Sequence, residues 1–217
     1  HTLPAQLTLT RAIKRLAPQV RVVFGGPQAT ATGAALLEAF PEVDLVLGGE
    51  AEDSLPALVA ALRDGGPLEA VPGLLRRGPD GPIPGPPPPP RLALDDLPPP
   101  ALDLAPPSPI ATVESGRGCP WACRFCSTSA FFARRHRARG VDALLAELHH
   151  LYRQHGVRHV TFTDDIFTVD KRWARAFCEA MIQRGPPLAW GCSTRIDCVD
   201  PELLALMAQA RCDGILY

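Results

Sequence analysis

Apolar positions in this chain recur first at helical spacing and then in short runs. Leu7, Leu9, Ile13 and Leu16 predict a helix over Pro4 to Leu16, ended by Pro18. Val20 to Phe24 is a short, mostly apolar run of the kind buried on both faces of a sheet, and it leads into Gly25-Gly26-Pro27. A helix is expected from about Gly33 to Phe40, a second strand over Asp44 to Leu47, and the turn Gly48-Gly49-Glu50 after it. A further helix runs from about Ser54 to Arg63 and stops at Gly65-Gly66, and Val71 to Arg77 reads as a small edge strand. Strand, glycine turn and helix in repetition predict an open parallel sheet with right-handed crossovers. Ligands of such sheets bind at the C-terminal ends of the strands, where both glycine turns lie.

Pro79 to Pro109 breaks the rhythm. It holds Pro86 to Pro90 in a row and then Pro98 to Pro100, which favours an extended spacer and excludes a packed helix. A connector explains its position; a proline-rich recognition ligand is the alternative. Beyond it the pattern becomes strand and helix again. Strands are expected over Ile110 to Val113, Arg158 to Thr163 and Leu188 to Cys192, with a fourth opening at Gly214 to Tyr217. Between them lie a helix from Val141 to His155, striped by Leu144, Leu145, Leu148 and Leu151, and a helix after Asp170. Asp200-Pro201-Glu202 starts a third, with Asp200 as cap.

Composition narrows the class only slightly. Of 217 residues, 46% are apolar and 21% charged, which is ordinary for a globular protein. A net charge of −1 gives no reason to expect nucleic acid or a membrane surface as partner. No apolar run approaches a membrane span, and no signal-peptide core is present. Seven cysteines, three of them in one motif, argue against a disulfide framework and for a reducing cytoplasm. The chain opens on His1 rather than Met and closes where a strand begins, so it reads as a fragment of a longer protein.

The candidate chemistry sits in Gly116-Arg117-Gly118-Cys119-Pro120-Trp121-Ala122-Cys123-Arg124-Phe125-Cys126. Two glycines and a proline let this loop curl until the thiols of Cys119, Cys123 and Cys126 point to one centre. Thiolates at this density suit zinc or an iron–sulfur cluster. Three ligands are one short for a closed site. A zinc knuckle would need a fourth, such as His136 or Cys192; an Fe4S4 cube held by three cysteines instead leaves one iron open. The loop also leaves the C-terminal end of a strand, where β/α barrels keep their reactive groups. Asp164 and Asp165 follow the next strand, and Ser193 to Asp197 the one after. The arginines of the run Phe131 to Arg139 could grip an anion, though such runs are commonly solvated surface.

The C-x3-C-x2-C loop resembles that of the radical S-adenosylmethionine enzymes. In that family the open iron chelates the cofactor's methionine part, and reductive cleavage of the sulfonium yields an adenosyl radical that abstracts hydrogen from the substrate. The resemblance implies that Cys119, Cys123 and Cys126 hold a [4Fe-4S] cluster and that Phe125 flanks the adenine. It further implies that Asp164 and Asp165 meet the amino group of S-adenosylmethionine, and that Ser193 and Arg195 meet its carboxylate or ribose. Val22-Val23-Phe24-Gly25-Gly26-Pro27, Phe40-Pro41-Glu42-Val43-Asp44 and Gly49-Glu50-Ala51-Glu52 resemble the cobalamin-binding domain found before many such barrels, with Gly25 and Gly26 against the corrinoid's nucleotide tail. His1 is not assigned as a lower ligand. A flavodoxin-like sheet kept as scaffold is the alternative for this half.

The expected fold is therefore α/β: a partial Rossmann-like cobalamin-binding domain over 1–78, a proline-rich linker over 79–109, and the first half of a radical SAM (β/α)6 partial barrel over 110–217. The expected activity is cobalamin-dependent methylation of an unactivated carbon in a small molecule or peptide, with an oxidative cyclase or a non-catalytic metal- or corrinoid-binding module as alternatives. A cytosolic electron donor such as flavodoxin or ferredoxin is implied. Residues 1–118 lack the cysteines that a second cluster would need, which disfavours a methylthio-transferring relative.

Overall fold

The computed structural model describes residues 2–88, 93–98 and 100–217. His1, Pro89, Pro90 and Pro99, which figured in the readings above, lie outside the described residues. The chain divides into two compact units, His1–Arg91 and Leu92–Tyr217.

In the first unit, helix α1 covers Leu3–Leu16 and is followed by strand β1, Val23–Gly25. The strand starts later than its apolar run because Asp44 takes the Val22 N–H at 2.7 Å, outside the ladder. Helix α2, Gly26–Ala39, begins directly after Gly25 with Pro27 in its first turn, well before the expected Gly33. Proline costs nothing there, because a first-turn N–H has no helical partner. The helix kinks at Thr32, whose backbone is not helical. Strand β2 is Leu45–Leu47, buried on both faces, and α3 covers Ser54–Asp64, closed by Gly65 in the left-handed conformation.

Two features of this unit differ from the expectation. Strand β3, Leu74–Gly78, is internal rather than an edge, because β4, Gly81–Pro84, pairs along its far side. Strand β4 lies inside the stretch read as linker. Its prolines are tolerated because β4 is itself an edge strand. The sheet order is β1-β2-β3-β4, with β1 and β2 parallel and the other pairs antiparallel. The parallel rule thus holds only for the strands joined by α2. The guanidinium of Arg77 on β3 donates to the carbonyls of Leu37, Phe40 and Val43, which ties the C-terminal end of α2 to the sheet.

In the second unit, β5 is Ile110–Val113, and the two-residue strands β6, Gly116–Arg117, and β7, Arg137–Ala138, pair antiparallel. A short helix α4, Thr128–Phe131, lies between these two. Then come α5 (Val141–Gln154), β8 (His159–Phe162), α6 (Lys171–Arg184), β9 (Ala189–Ser193), α7 (Pro201–Gln209) and β10 (Cys212–Leu216). The four longer strands form one parallel sheet in the order β10-β9-β8-β5, as strand–helix alternation requires.

The rings of Phe162, Phe167, Phe177 and Trp190 pack between β8, β9 and α6 with centroids 4.9–5.6 Å apart. Each such pair adds about 0.5–1.5 kcal/mol beyond its buried area. The Trp190 indole N–H donates to Ala210 at 2.7 Å, so its one polar atom is satisfied in the core. Asp170 caps α6 by accepting from the N–H groups of Arg172 and Trp173, and Asp200 caps α7 through Leu203. Rigid strand ends are the consequence, and the candidate site stands on them.

Candidate functional site

The cysteine loop is anchored at its base by the β6–β7 ladder. Gly118 has φ +87°, and a Cβ built there would stand 2.1 Å from the Arg135 carbonyl oxygen, so only glycine fits. Gly116 is crowded in the same way: a Cβ would meet the Arg137 carbonyl at 2.9 Å and both Asp164 Oδ1 and His136 Nε2 at 3.0 Å. The segment facing these glycines turns through Ala133 and Arg134, both at positive φ without being glycine. Backbone strain in that turn is held by hydrogen bonds from Arg134 N to Ser129 O and from Arg135 N to Phe132 O.

Above this base, Cys119 is buried and packs with Ile166 and Cys198, while Cys123 and Cys126 are half-buried. Burial raises the Cys119 thiol pKa, and nearby Asp165, Cys126 and Cys123 raise it further. Cys126 goes the other way. The backbone N–H groups of Ser129 and Thr128, at the start of α4, favour its thiolate. Among the described residues no three His, Cys, Asp or Glu side chains stand at metal-binding spacing. The three thiols are gathered on one loop without being drawn to a common centre. As a donor set they suit a soft metal or an iron–sulfur cluster, and Cys126 is already biased to the ligating form. Of the two residues considered as a fourth zinc ligand, Cys192 lies in the core on β9, hydrogen-bonded to Cys212, and His136 is half-buried beside Gly116 with its pKa lowered by desolvation.

Asp164 and Asp165 diverge, as neighbours on extended backbone do. Asp164 is buried, and Oδ2 accepts from the Ser115 hydroxyl at 2.9 Å and the Ser115 N–H at 3.2 Å. Burial outweighs these bonds and pushes its pKa up to about 6. Asp165 is exposed on the cysteine-loop side, its pKa raised by desolvation and countered by a hydrogen bond from Thr128. Neither Ser115 nor Thr128 stood out in the sequence. The Ser-Thr-Ser run after Cys126 is a helix-start signal that could have flagged Thr128.

At the end of β9, Ser193 is half-buried and its carbonyl accepts from Phe167 N at 2.9 Å. Arg195 donates through Nε and Nη2 to both oxygens of Asp197, at 2.9 and 2.7 Å, and its guanidinium lies 4.9 Å from the centre of the Trp121 ring. Phe125 presents a ring that is 94% exposed at the loop tip. In the arginine run, Arg139 faces inward to Glu147 and Asp95, and Arg137 lies over the Phe132 ring, so this stretch is only partly solvated surface.

In the first unit, Gly25 and Gly26 lie at the junction of β1 and α2. Gly26 has φ +86° and nothing within 4 Å of where a Cβ would be. The Thr30 hydroxyl donates to the Gly26 carbonyl and accepts from Gly49 N at 3.0 Å, which couples the two glycine turns. Gly73 completes this end: its carbonyl accepts from Gly48 N at 2.8 Å, and a Cβ on it would lie 2.5 Å from the Gly48 oxygen.

A family model for the Radical SAM superfamily matches residues 113–217, which include the cysteine loop and the strand ends around it. Residues 113–217 are thus a radical SAM domain. It is 31% identical over 218 residues to the uncharacterized methyltransferase PH0819 of Pyrococcus horikoshii, spanning 97% of this chain and 47% of that protein. It is 30% identical over 229 residues to the anaerobic magnesium-protoporphyrin IX monomethyl ester cyclase of Rubrivivax gelatinosus, spanning 95% of this chain and 39% of the cyclase. The fold of this chain superposes on that of the methyltransferase TsrM from Kitasatospora setae, solved with cobalamin and a [4Fe-4S] cluster bound. The TM-score is 0.77 at 20% identity, over 99% of this chain and 44% of TsrM. The chain thus spans less than half the length of each of these proteins. Among the described residues no helix is long and apolar enough to cross a membrane.

Proposed function

We propose that this chain is part of a cobalamin-dependent radical SAM methyltransferase acting on an unactivated carbon. The observation that carries the reading is one loop with three thiols at the C-terminal end of β5, beside two strand-end carboxylates at β8. Cys119, Cys123 and Cys126 would hold a [4Fe-4S] cluster with one iron open. When bound, the cluster supplies the electron that cleaves S-adenosylmethionine, and the corrinoid carries the methyl group.

The chain's own residues bind, orient and screen. Asp165, exposed and facing the loop, pairs with the ammonium of the cofactor's methionine part. Asp164 backs it: burial raises its pKa to about 6, and a nearby cation would favour its carboxylate form. Ser115 fixes that carboxylate so that little reorganisation accompanies binding. Phe125 offers an apolar face to the adenine. Ser193 and the remaining Nη1 of Arg195 would meet the carboxylate or ribose. In the first unit the open backbone at Gly26, beside Gly25, would admit the corrinoid tail, and the barrel half begins at 110. The substrate is a small molecule or peptide, the electron donor a flavodoxin or ferredoxin, and the compartment the cytoplasm.

The likeness to the anaerobic cyclase favours a second reading, oxidative ring formation with the same cofactors. Product analysis separates the two. A methylated product with S-adenosylhomocysteine formed in step supports methyl transfer, and a ring-closed product with no methyl gained supports the cyclase.

A further inference from the structure

Arg195 and Trp121 stand in a relation that the cofactor roles above do not use. Trp121 is the middle residue between Cys119 and Cys123, and it packs on the small cluster of Cys119, Ile166 and Cys198. The Arg195 guanidinium lies over its ring at 4.9 Å, and two parallel bonds to Asp197 fix the plane of that guanidinium. A cation with two of its nitrogens bonded to Asp197 is held over the indole ring, where the ring's negative face attracts it. The cation also stands near Cys123 and Cys198, both within electrostatic reach. Asp197 brings a negative charge to the same place, bonded to the guanidinium on one side and contacted by the Cys198 thiol at 3.7 Å on the other. The end of β9 thus grips the cysteine loop at its middle, while the β6–β7 ladder grips it at its base.

We infer that Trp121, Arg195 and Asp197 form a clasp that fixes the cysteine loop and sets the charge beside Cys123. They are positioning residues: Arg195 and Asp197 act on the cluster site through Trp121 and through their field. The inference rests on the cluster assignment above only for its second part. Loop fixation is a property of the metal-free protein.

The test has two readouts. In the metal-free protein, trypsin cleavage at Arg124, exposed on the loop, reports how often the loop opens. Trp121→Ala and Arg195→Ala are expected to speed that cleavage roughly two- to fivefold, the loss expected for an exposed cation–π contact, while Trp121→Phe stays close to wild type. Equal rates in all variants would overturn the clasp whether or not the protein binds a cluster. In anaerobically reconstituted protein, the midpoint potential followed by electron paramagnetic resonance reports the charge. Arg195→Ala is expected to lower it and Asp197→Asn to raise it, although both loosen the loop, because potential follows net charge at the cluster. Iron loss to a chelator should rise about tenfold in Arg195→Ala, as for other residues that support metal ligands. Shifts of the same sign in the two variants would overturn the electrostatic part. A wild-type protein with no cluster signal, but with the cleavage differences intact, would instead refute the cluster assignment and leave the loop clasp standing.

Discussion

In the first unit the ends of β1 and β2 are made of backbone: Gly25, Gly26, Gly48 and Gly49, tied by the Thr30 hydroxyl and backed by Gly73. In the second unit the ends of β5, β8 and β9 carry side chains, and they are thiols, carboxylates and a guanidinium. Both ends lie where open α/β sheets bind ligands, yet they suit opposite tasks. At Gly26 the main chain is open to a large, flat group, whereas Pro88 lies against Gly49 and Gly73. A rim of titratable groups can ligate, neutralise and orient. The proposed division of labour, a corrinoid on the first and a cluster with S-adenosylmethionine on the second, follows from that contrast in composition.

The contrast breaks hardest at the cysteines. Cys123→Ala should abolish the reconstituted cluster signal while leaving metal-free stability within about 0.5 kcal/mol, because the thiol is half-buried on a loop. Unfolding by urea and iron analysis together check this. Loss of the fold along with the cluster would mean that the loop is structural.

A matched pair of glycine variants sharpens it. Gly118→Ala would set a Cβ 2.1 Å from the Arg135 oxygen at φ +87°, and Gly73→Ala would set one 2.5 Å from the Gly48 oxygen at φ +73°. Each should cost about 2–3 kcal/mol in urea unfolding, the range for a strained backbone conformation. Their ligand effects should separate: Gly118→Ala loses the cluster and keeps corrinoid binding, and Gly73→Ala does the reverse. Coincident losses would end the division of labour.

Much of this was legible in the sequence, and the reasons for the rest are specific. The thiols, the paired aspartates and the α6 and α7 caps are local patterns and could be read directly. The parallel sheet of the second unit followed from alternation. Strand β4 was missed because Pro82 and Pro84 read as linker, whereas an edge position lets proline sit in a sheet. The early start of α2 was hidden because Gly26 and Pro27 look like a turn, yet Pro27 suits a helix's first turn. The β6–β7 ladder, the Ser115–Asp164 bonds and the stacking of Arg195 on Trp121 join residues far apart in the chain. No local spacing encodes such meetings.

Asp164 offers a smaller test. Its folded pKa of about 6 stands above the ordinary carboxylate value of 3.8, so its contribution is fully present below about pH 4 and is lost as pH rises through 6. Asp164→Asn, which can still accept from Ser115, should flatten metal-free stability across that window and add on the order of 2 kcal/mol at pH 7. It should also weaken S-adenosylmethionine binding. An unchanged pH profile in unfolding would show that Asp164 ionises normally. At the low end, Asp170→Ala should cost about 1 kcal/mol through the lost α6 cap and leave the cluster signal untouched.

The central claim is that the loop at the end of β5 holds a [4Fe-4S] cluster with one iron open to S-adenosylmethionine. Anaerobic reconstitution with iron and sulfide, followed by electron paramagnetic resonance of the reduced protein with and without S-adenosylmethionine, tests it most directly. The account predicts a reduced [4Fe-4S] signal that shifts when S-adenosylmethionine is added and vanishes in Cys123→Ala. A protein that takes up zinc tightly and gives no cluster signal would contradict it.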